Sequence, residues 1–205
     1  VLVYDGVFIG GGDSEAILVH DTANAIGAAN VFGGTFKNKS GTVTNVITYI
    51  PNGAALTQDS SGKVVEDNTN PIVARVDGIG YTNLQDAINA ASESATVTLE
   101  ANITNTNVNS GSLQVNDDGE ATLLIVRKDI TIVGNGHTIA LTVPSGSATC
   151  QAISVGDEIS TPENADEVTL TLSGVDMKIR GNGNGSGGDG MDVWSNATLN
   201  IVDGS

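Results

Sequence analysis

The sequence predicts an all-β fold in which short strands stack into a solenoid, a parallel β-helix, with one short helix set among them. Three observations carry this. The composition is rich in Gly, Thr, Ser, Asn, Val and Ile, with 26 Gly but only three Phe, three Tyr and one Trp in 205 residues; it suits many short strands joined by tight turns and packed through β-branched side chains. Short apolar runs, cut by glycines, recur along the chain. A single amphipathic segment, residues 81–91, interrupts them.

Taken in order, residues 1–4, 7–9, 16–19 and 31–36 are short apolar runs punctuated by Gly-Gly pairs, as a chain that turns sharply every few residues requires. Residues 42–50 read as a further strand, 51–53 as a turn and 60–65 as a hairpin-like return. Residues 66–71 contain no apolar side chain apart from Pro71 and read as a linker. The expected division is therefore 1–65, 66–71 and 72–205.

Beyond the linker, residues 72–76 form a strand leading through Asp77-Gly78 into the helix. Thr82 with Gln85 reads as a capping box, and Leu84, Ala87, Ile88 and Ala91 share one face. Such a helix cannot bury its stripe alone, so it is expected to lie over the open end of stacked strands. Strand runs follow at 95–99, 121–126, 130–133, 138–143, 152–155, 168–172, 177–179 and 191–202, with equivalent runs spaced by roughly twenty to thirty residues, as in a solenoid. Residues 96–99, 168–172 and 197–201 alternate polar and apolar, giving one buried and one wet face. A β-sandwich also uses alternating strands, but does not account for the lone helix or the Gly-Asn-Gly turns.

The net charge of −16, from 24 acidic and eight basic residues, argues against a nucleic-acid partner and against an anionic membrane surface. No apolar run is long enough for a membrane-spanning helix, and no signal peptide opens at Val1. The missing initiator Met points to a processed product or an excised piece. Cys150 is the only cysteine, so no intrachain disulfide forms.

Residues 73–91, followed by 95–99 and 102–104, resemble the opening of the pectate-lyase-like right-handed parallel β-helix domains of large bacterial and archaeal cell-surface proteins. Residues 130–139 are similar to an early coil of these domains and 190–201 to a later one. Residues 31–36 and 49–65 resemble the final coils and the exit hairpin. The resemblance implies a permuted order: final coils, exit, linker, entry helix, first coils. Either the piece comes from a tandem array, or the coil at Ile201 of one molecule stacks on the coil at Val1 of the next.

Candidate sites are few. Residues 187–194 contain one copy of a Gly-Gly-x-Gly-x-Asp-x-apolar calcium pattern, which makes Asp189 and Asp192 the candidate ligands and calcium the only cofactor considered. Calcium needs ligands from successive repeats, so a glycine-rich loop is the favoured reading there. Asp176, Lys178 and Arg180 alternate along one strand and are the best catalytic constellation, because β-helix enzymes that cleave pectin use an acidic cluster and a basic residue. A solvated strand face shows the same alternation. His137, after Gly134-Asn135-Gly136, reads as a turn residue rather than a general base. Asn38, Asn102 and Asn196 open glycan-acceptor triplets.

The function expected is that of an extracellular structural or adhesive unit at the cell surface, partnered head-to-tail by its own copies and by surface glycans. A lyase or hydrolase acting on acidic glycans is the alternative, and the residues weigh against enzymatic activity.

Overall fold

The computed structural model describes residues 1–17, 29–105, 114–115, 121–142, 150–156, 167–180 and 190–203. Most of its regular structure is β, with one α-helix. The chain divides into two compact units, Val1–Asn70 and Pro71–Ser205.

In the first unit, β1 (Leu2–Val3), β2 (Val7–Gly10), β3 (Asn30–Val31) and β4 (Thr35–Asn38) form two parallel pairs. β1 lies beside β3 with Val3 opposite Val31, and β2 beside β4 with Phe8 opposite Phe36. Like side chains therefore stack: Tyr4 on Phe32 at 5.0 Å between ring centroids, and Phe8 on Phe36 at 4.8 Å. At the corner after β3, a side chain on Gly33 would strike the carbonyl of Tyr4, which is why glycine stands there. Buried Val3, Val31, Phe36, Val46 and Val64 form the core.

The expected strand over residues 42–50 is not formed. Val43 makes only an isolated bridge to Lys37, and Ile47–Tyr49 is a turn of 3-10 helix. The cause is local: Asn45 Oδ1 accepts from Ile47 N–H, bending the chain, and Gln58 binds the backbone at both Thr44 and Val46. β5 (Leu56–Gln58) and β6 (Val64–Glu66) then make an antiparallel hairpin whose turn is held by Asp59. Of the run at 16–19, Ala16 and Ile17 are not in a strand; its remainder lies outside the described residues.

The second unit opens with β7 (Ala74–Val76) and β8 (Ile79–Tyr81), an antiparallel hairpin turned at Asp77-Gly78, where both residues have positive φ. The helix α1 spans Leu84–Ala90. Its N-cap is Asn83, whose Oδ1 accepts from Asp86 N–H at 2.8 Å; the expected Thr82–Gln85 capping box is not made. Lys128 Nζ donates to the carbonyls of Asn89 and Ala91 at the other end.

After the helix come β9 (Ala95–Leu99), β10 (Ile103–Thr104), β11 (Gln114–Val115), β12 (Ala121–Val126), β13 (Ile130–Val133), β14 (Thr138–Thr142), β15 (Cys150–Val155), β16 (Val168–Ser173), β17 (Asp176–Arg180), β18 (Met191–Val193) and β19 (Ala197–Val202). The run expected at 191–202 is thus two strands, parted by a turn in which Ala197 N–H donates to the Trp194 carbonyl.

Three sheets share these strands. β9, β13, β16 and β19 are parallel neighbours in one, behind the β7–β8 hairpin; β10, β14 and β17 form the second; β12, β15 and β18 form the third, with β11 antiparallel beside β12. Side chains stack down each sheet. Val97, Ile132, Leu172 and Ile201 align in the first, Ile103, Ile139 and Met177 in the second, and Leu124, Ile153 and Met191 in the third. The partner of Leu124 is 29 residues on, at Ile153, while that of Ile130 is 40 residues on, at Leu170. The spacing of equivalent strands thus meets the expected twenty to thirty residues in some pairs and exceeds it in others.

Candidate functional site

Two surfaces of the second unit merit description, the β17 face and the rims of the strand stack. On β17, Lys178 Nζ lies 2.9 Å from Asp176 Oδ2, and the same oxygen accepts from Thr138 Oγ1 at 3.1 Å. The ammonium of Lys178, and then the Thr138 hydroxyl, hold the Asp176 carboxyl below the usual carboxylate range. Each group is thus engaged by its neighbour on a solvated face. The Arg180 side chain lies outside the described residues.

Of the calcium candidates, Asp189 lies outside the described residues. Asp192 is half-buried on β18, and its Oδ2 accepts from Gln151 Nε2 at 3.0 Å on the neighbouring strand. Among the described residues, no group of three or more His, Cys, Asp or Glu side chains is placed to hold a metal ion. His137 is half-buried at the turn before β14, and its N–H donates to the Gly134 carbonyl. No side-chain geometry is described for Cys150.

The glycan-acceptor asparagines differ. Asn38 is half-buried, and its Oδ1 accepts from Ser40 Oγ at 2.9 Å and Thr42 N–H at 2.8 Å. Asn102 is exposed, and its Oδ1 accepts from Thr138 N–H at 3.0 Å. Asn196 is half-buried in the turn before β19.

The rims are the more informative surface. At one rim Gln85, buried in α1, turns its amide to β12: Nε2 donates to the Ile125 carbonyl, and Oε1 accepts from Ile125 N–H, both at 2.9 Å. The side chain supplies a donor and an acceptor to β12 beyond its pairing with β11, where no strand pairs on that side among the described residues. Asn105 does the same at Thr142, accepting from its N–H at 2.9 Å and donating to its carbonyl. Sequence reasoning assigned Gln85 to a capping box and overlooked Asn105; only a long-range partner reveals either role.

At the other rim, β19 has β16 on one side and no strand on the other among the described residues. Ile201 ends the ladder of Val97, Ile132 and Leu172, and is 63% exposed where those three are buried. Val202, the next residue, and Val193 on β18 are also exposed. In the first unit β1 and β2 are also edge strands, with Leu2, Tyr4, Val7 and Ile9 exposed. No known protein family, curated protein or solved structure matches the chain.

Proposed function

We propose that the chain is a unit of a right-handed parallel β-helix with a structural or adhesive role outside the cell, continued head-to-tail by further coils, and that surface glycans are its other partners. The observation that supports it best is the parallel pairing of equivalent strands, in the same order, in three separate sheets. A sandwich of antiparallel sheets is not built this way.

The polar side chains support a mechanical role. Asn102, Asn105 and Asp129 bind backbone groups 36 to 40 residues away, and Trp194 Nε1 donates to Ser154 Oγ 40 residues back. These groups tie one turn of chain to the next. The acidic surface fits an extracellular, glycan-rich setting as a source of solvation.

Two measurements test the reading. Electron micrographs of the purified protein are expected to show rods or fibres. Incubation with polygalacturonate, with and without calcium, is expected to give no unsaturated product; turnover that disappears in Asp176→Ala would replace the structural reading with a lyase.

A further inference from the structure

We propose that a polar cavity in the first unit binds one uncharged hexose residue of a glycan. The proposal rests on the glycan partners inferred above and gives them a site and a sugar class.

The cavity has a volume of about 330 Å³. One wall is the loop after β2, with Asp13 and Glu15; the other is the end of β4 and the bent segment that follows it, with Asn38, Thr42, Thr44 and Asn45. Gly10, at the end of β2, lies opposite Asn38, at the end of β4, so the two walls belong to successive turns of chain. The space is that of a small-molecule pocket and far exceeds what a bare cation fills.

Both walls are braced by hydrogen bonds that leave much of the lining unused. Lys39 N–H donates to the Gly12 carbonyl at 3.2 Å and Ala16 N–H to Thr44 Oγ1 at 3.0 Å, which ties one loop to the other. Asn38 Oδ1 accepts from Ser40 Oγ and Thr42 N–H, and Asn45 Oδ1 accepts from Ile47 N–H. Both amides are thereby oriented, with their NH₂ groups left to donate. Asp13 meets Ser40 Oγ through Oδ1, at 3.2 Å, and keeps its other oxygen.

Thr44 is the residue that points to a ligand. It is only 6% exposed and lines the cavity, yet among the described residues its O–H has no acceptor; its one side-chain bond is the one it accepts from Ala16. A buried hydroxyl that cannot donate costs free energy, and here the cavity is where its acceptor can come from. The Glu15 carboxylate and the Thr42 hydroxyl also hold no protein group among the described residues.

The lining thus combines carboxylates, which only accept, with amide NH₂ groups, which donate, and hydroxyls, which do both. Pyranose hydroxyls answer this set, since each can donate to a carboxylate while accepting from an amide or from Thr44. A uronate or sulfated sugar would set like charge against Asp13 and Glu15 in a chain of net charge −16. A metal ion is disfavoured, because no group of three or more His, Cys, Asp or Glu side chains is placed to hold one among the described residues. Binding rests on hydrogen bonds, so a single sugar is expected to bind with Kd of about 1 mM.

The test follows the side-chain NH₂ signals of Asn38 and Asn45 by NMR as a methyl glucoside, galactoside or mannoside is added to the whole chain. At least one hexoside is expected to move both signals and saturate, with galacturonate binding at least about tenfold more weakly. Glu15→Ala, with its fold checked by circular dichroism, is expected to weaken hexoside binding at least about tenfold. Thr42→Val is a second variant that breaks no side-chain bond among the described residues, and about fivefold weakening is expected from it. Hexoside binding unchanged in both variants, with shifts elsewhere in the chain, would overturn the cavity and leave the glycan reading intact. Galacturonate binding as tightly as the hexosides would overturn the sugar class. Calcium chloride moving the two signals, with no response to any hexoside, would replace the sugar with a cation. No hexoside shift and no ligand on a glycan array would overturn the site and the glycan partners together.

Discussion

The two rims of the second unit end the same ladders in opposite ways. At the first, β7 runs antiparallel to the stack with β8 returning beyond it, α1 packs there, and Gln85 bonds to the β12 backbone at Ile125, where no strand pairs on that side among the described residues. At the second, β19 stops with Ile201 and Val202 in solvent. The lesson is that a stacked sheet has no natural end, because every strand added exposes a new row of backbone groups and a new apolar face. Closing it takes a reversal of chain direction and side chains that imitate backbone; leaving it unclosed preserves a surface of the same shape as every junction inside.

Perturbing the interior of the ladder gives the largest expected effect. Ile132→Ala, in the middle of the stack, should lower the unfolding free energy by about 3 kcal/mol through lost burial and a residual cavity, measured by chemical denaturation. Next comes the closed rim. Gln85→Leu keeps the side chain's volume but strips the partners from Ile125 N–H and C=O, so a loss of about 2–3 kcal/mol is expected, with amide exchange at Ile125 accelerating ahead of the global value. A loss under about 0.5 kcal/mol would mean that water serves as well as the glutamine, and that this rim is no more closed than the other.

At the open rim, Ile201→Ala in dilute protein should cost about 0.5 kcal/mol or less, because the side chain is already in solvent. The contrast with Ile132 is the comparison in its simplest form: the same residue type, on the same ladder, differing only in whether a strand lies beyond it. The smallest effect is expected from pH. Asp176 in the second unit and Asp59 and Asp67 in the first all have lowered carboxyl pKa values; the main causes are the Lys178 ammonium, the Ser61 hydroxyl and the Thr69 N–H respectively. A pKa lowered on folding stabilises the native state above the ordinary value of 3.8, and that stabilisation disappears as pH falls through the native value. Melting temperature should therefore be flat above about pH 5 and decline below about 4, with a smaller decline in Asp59→Asn.

Much of this was legible in the residues. Alternation in 96–99 and 168–172 marks strands with one buried face, and β9 and β16 bury Val97, Leu99, Leu170 and Leu172 as that pattern requires. The helix was legible from its stripe, though its cap is Asn83 rather than Thr82, since the two neighbours have equally suitable side chains and only backbone geometry chooses between them. The Asp77-Gly78 hairpin carries a recognisable signal, an Asp-Gly pair between apolar residues, although the helix that follows so closely makes the same pair read as a passage into it. Residues 42–50 misled because a β-rich composition says nothing of Gln58, whose amide holds the segment bent.

By itself, the sequence determined the β class, the place of the helix and the apolar runs that became ladders. These follow from periodicity and turn chemistry, which act over a few residues. Tertiary structure alone decided which strands are neighbours, that they run parallel, that Gln85 and Asn105 stand in for backbone, and which rim is closed. Those depend on groups 29 to 40 residues apart meeting in space, and at that range hydrogen-bond phase and burial select the partner without a local signature in the chain.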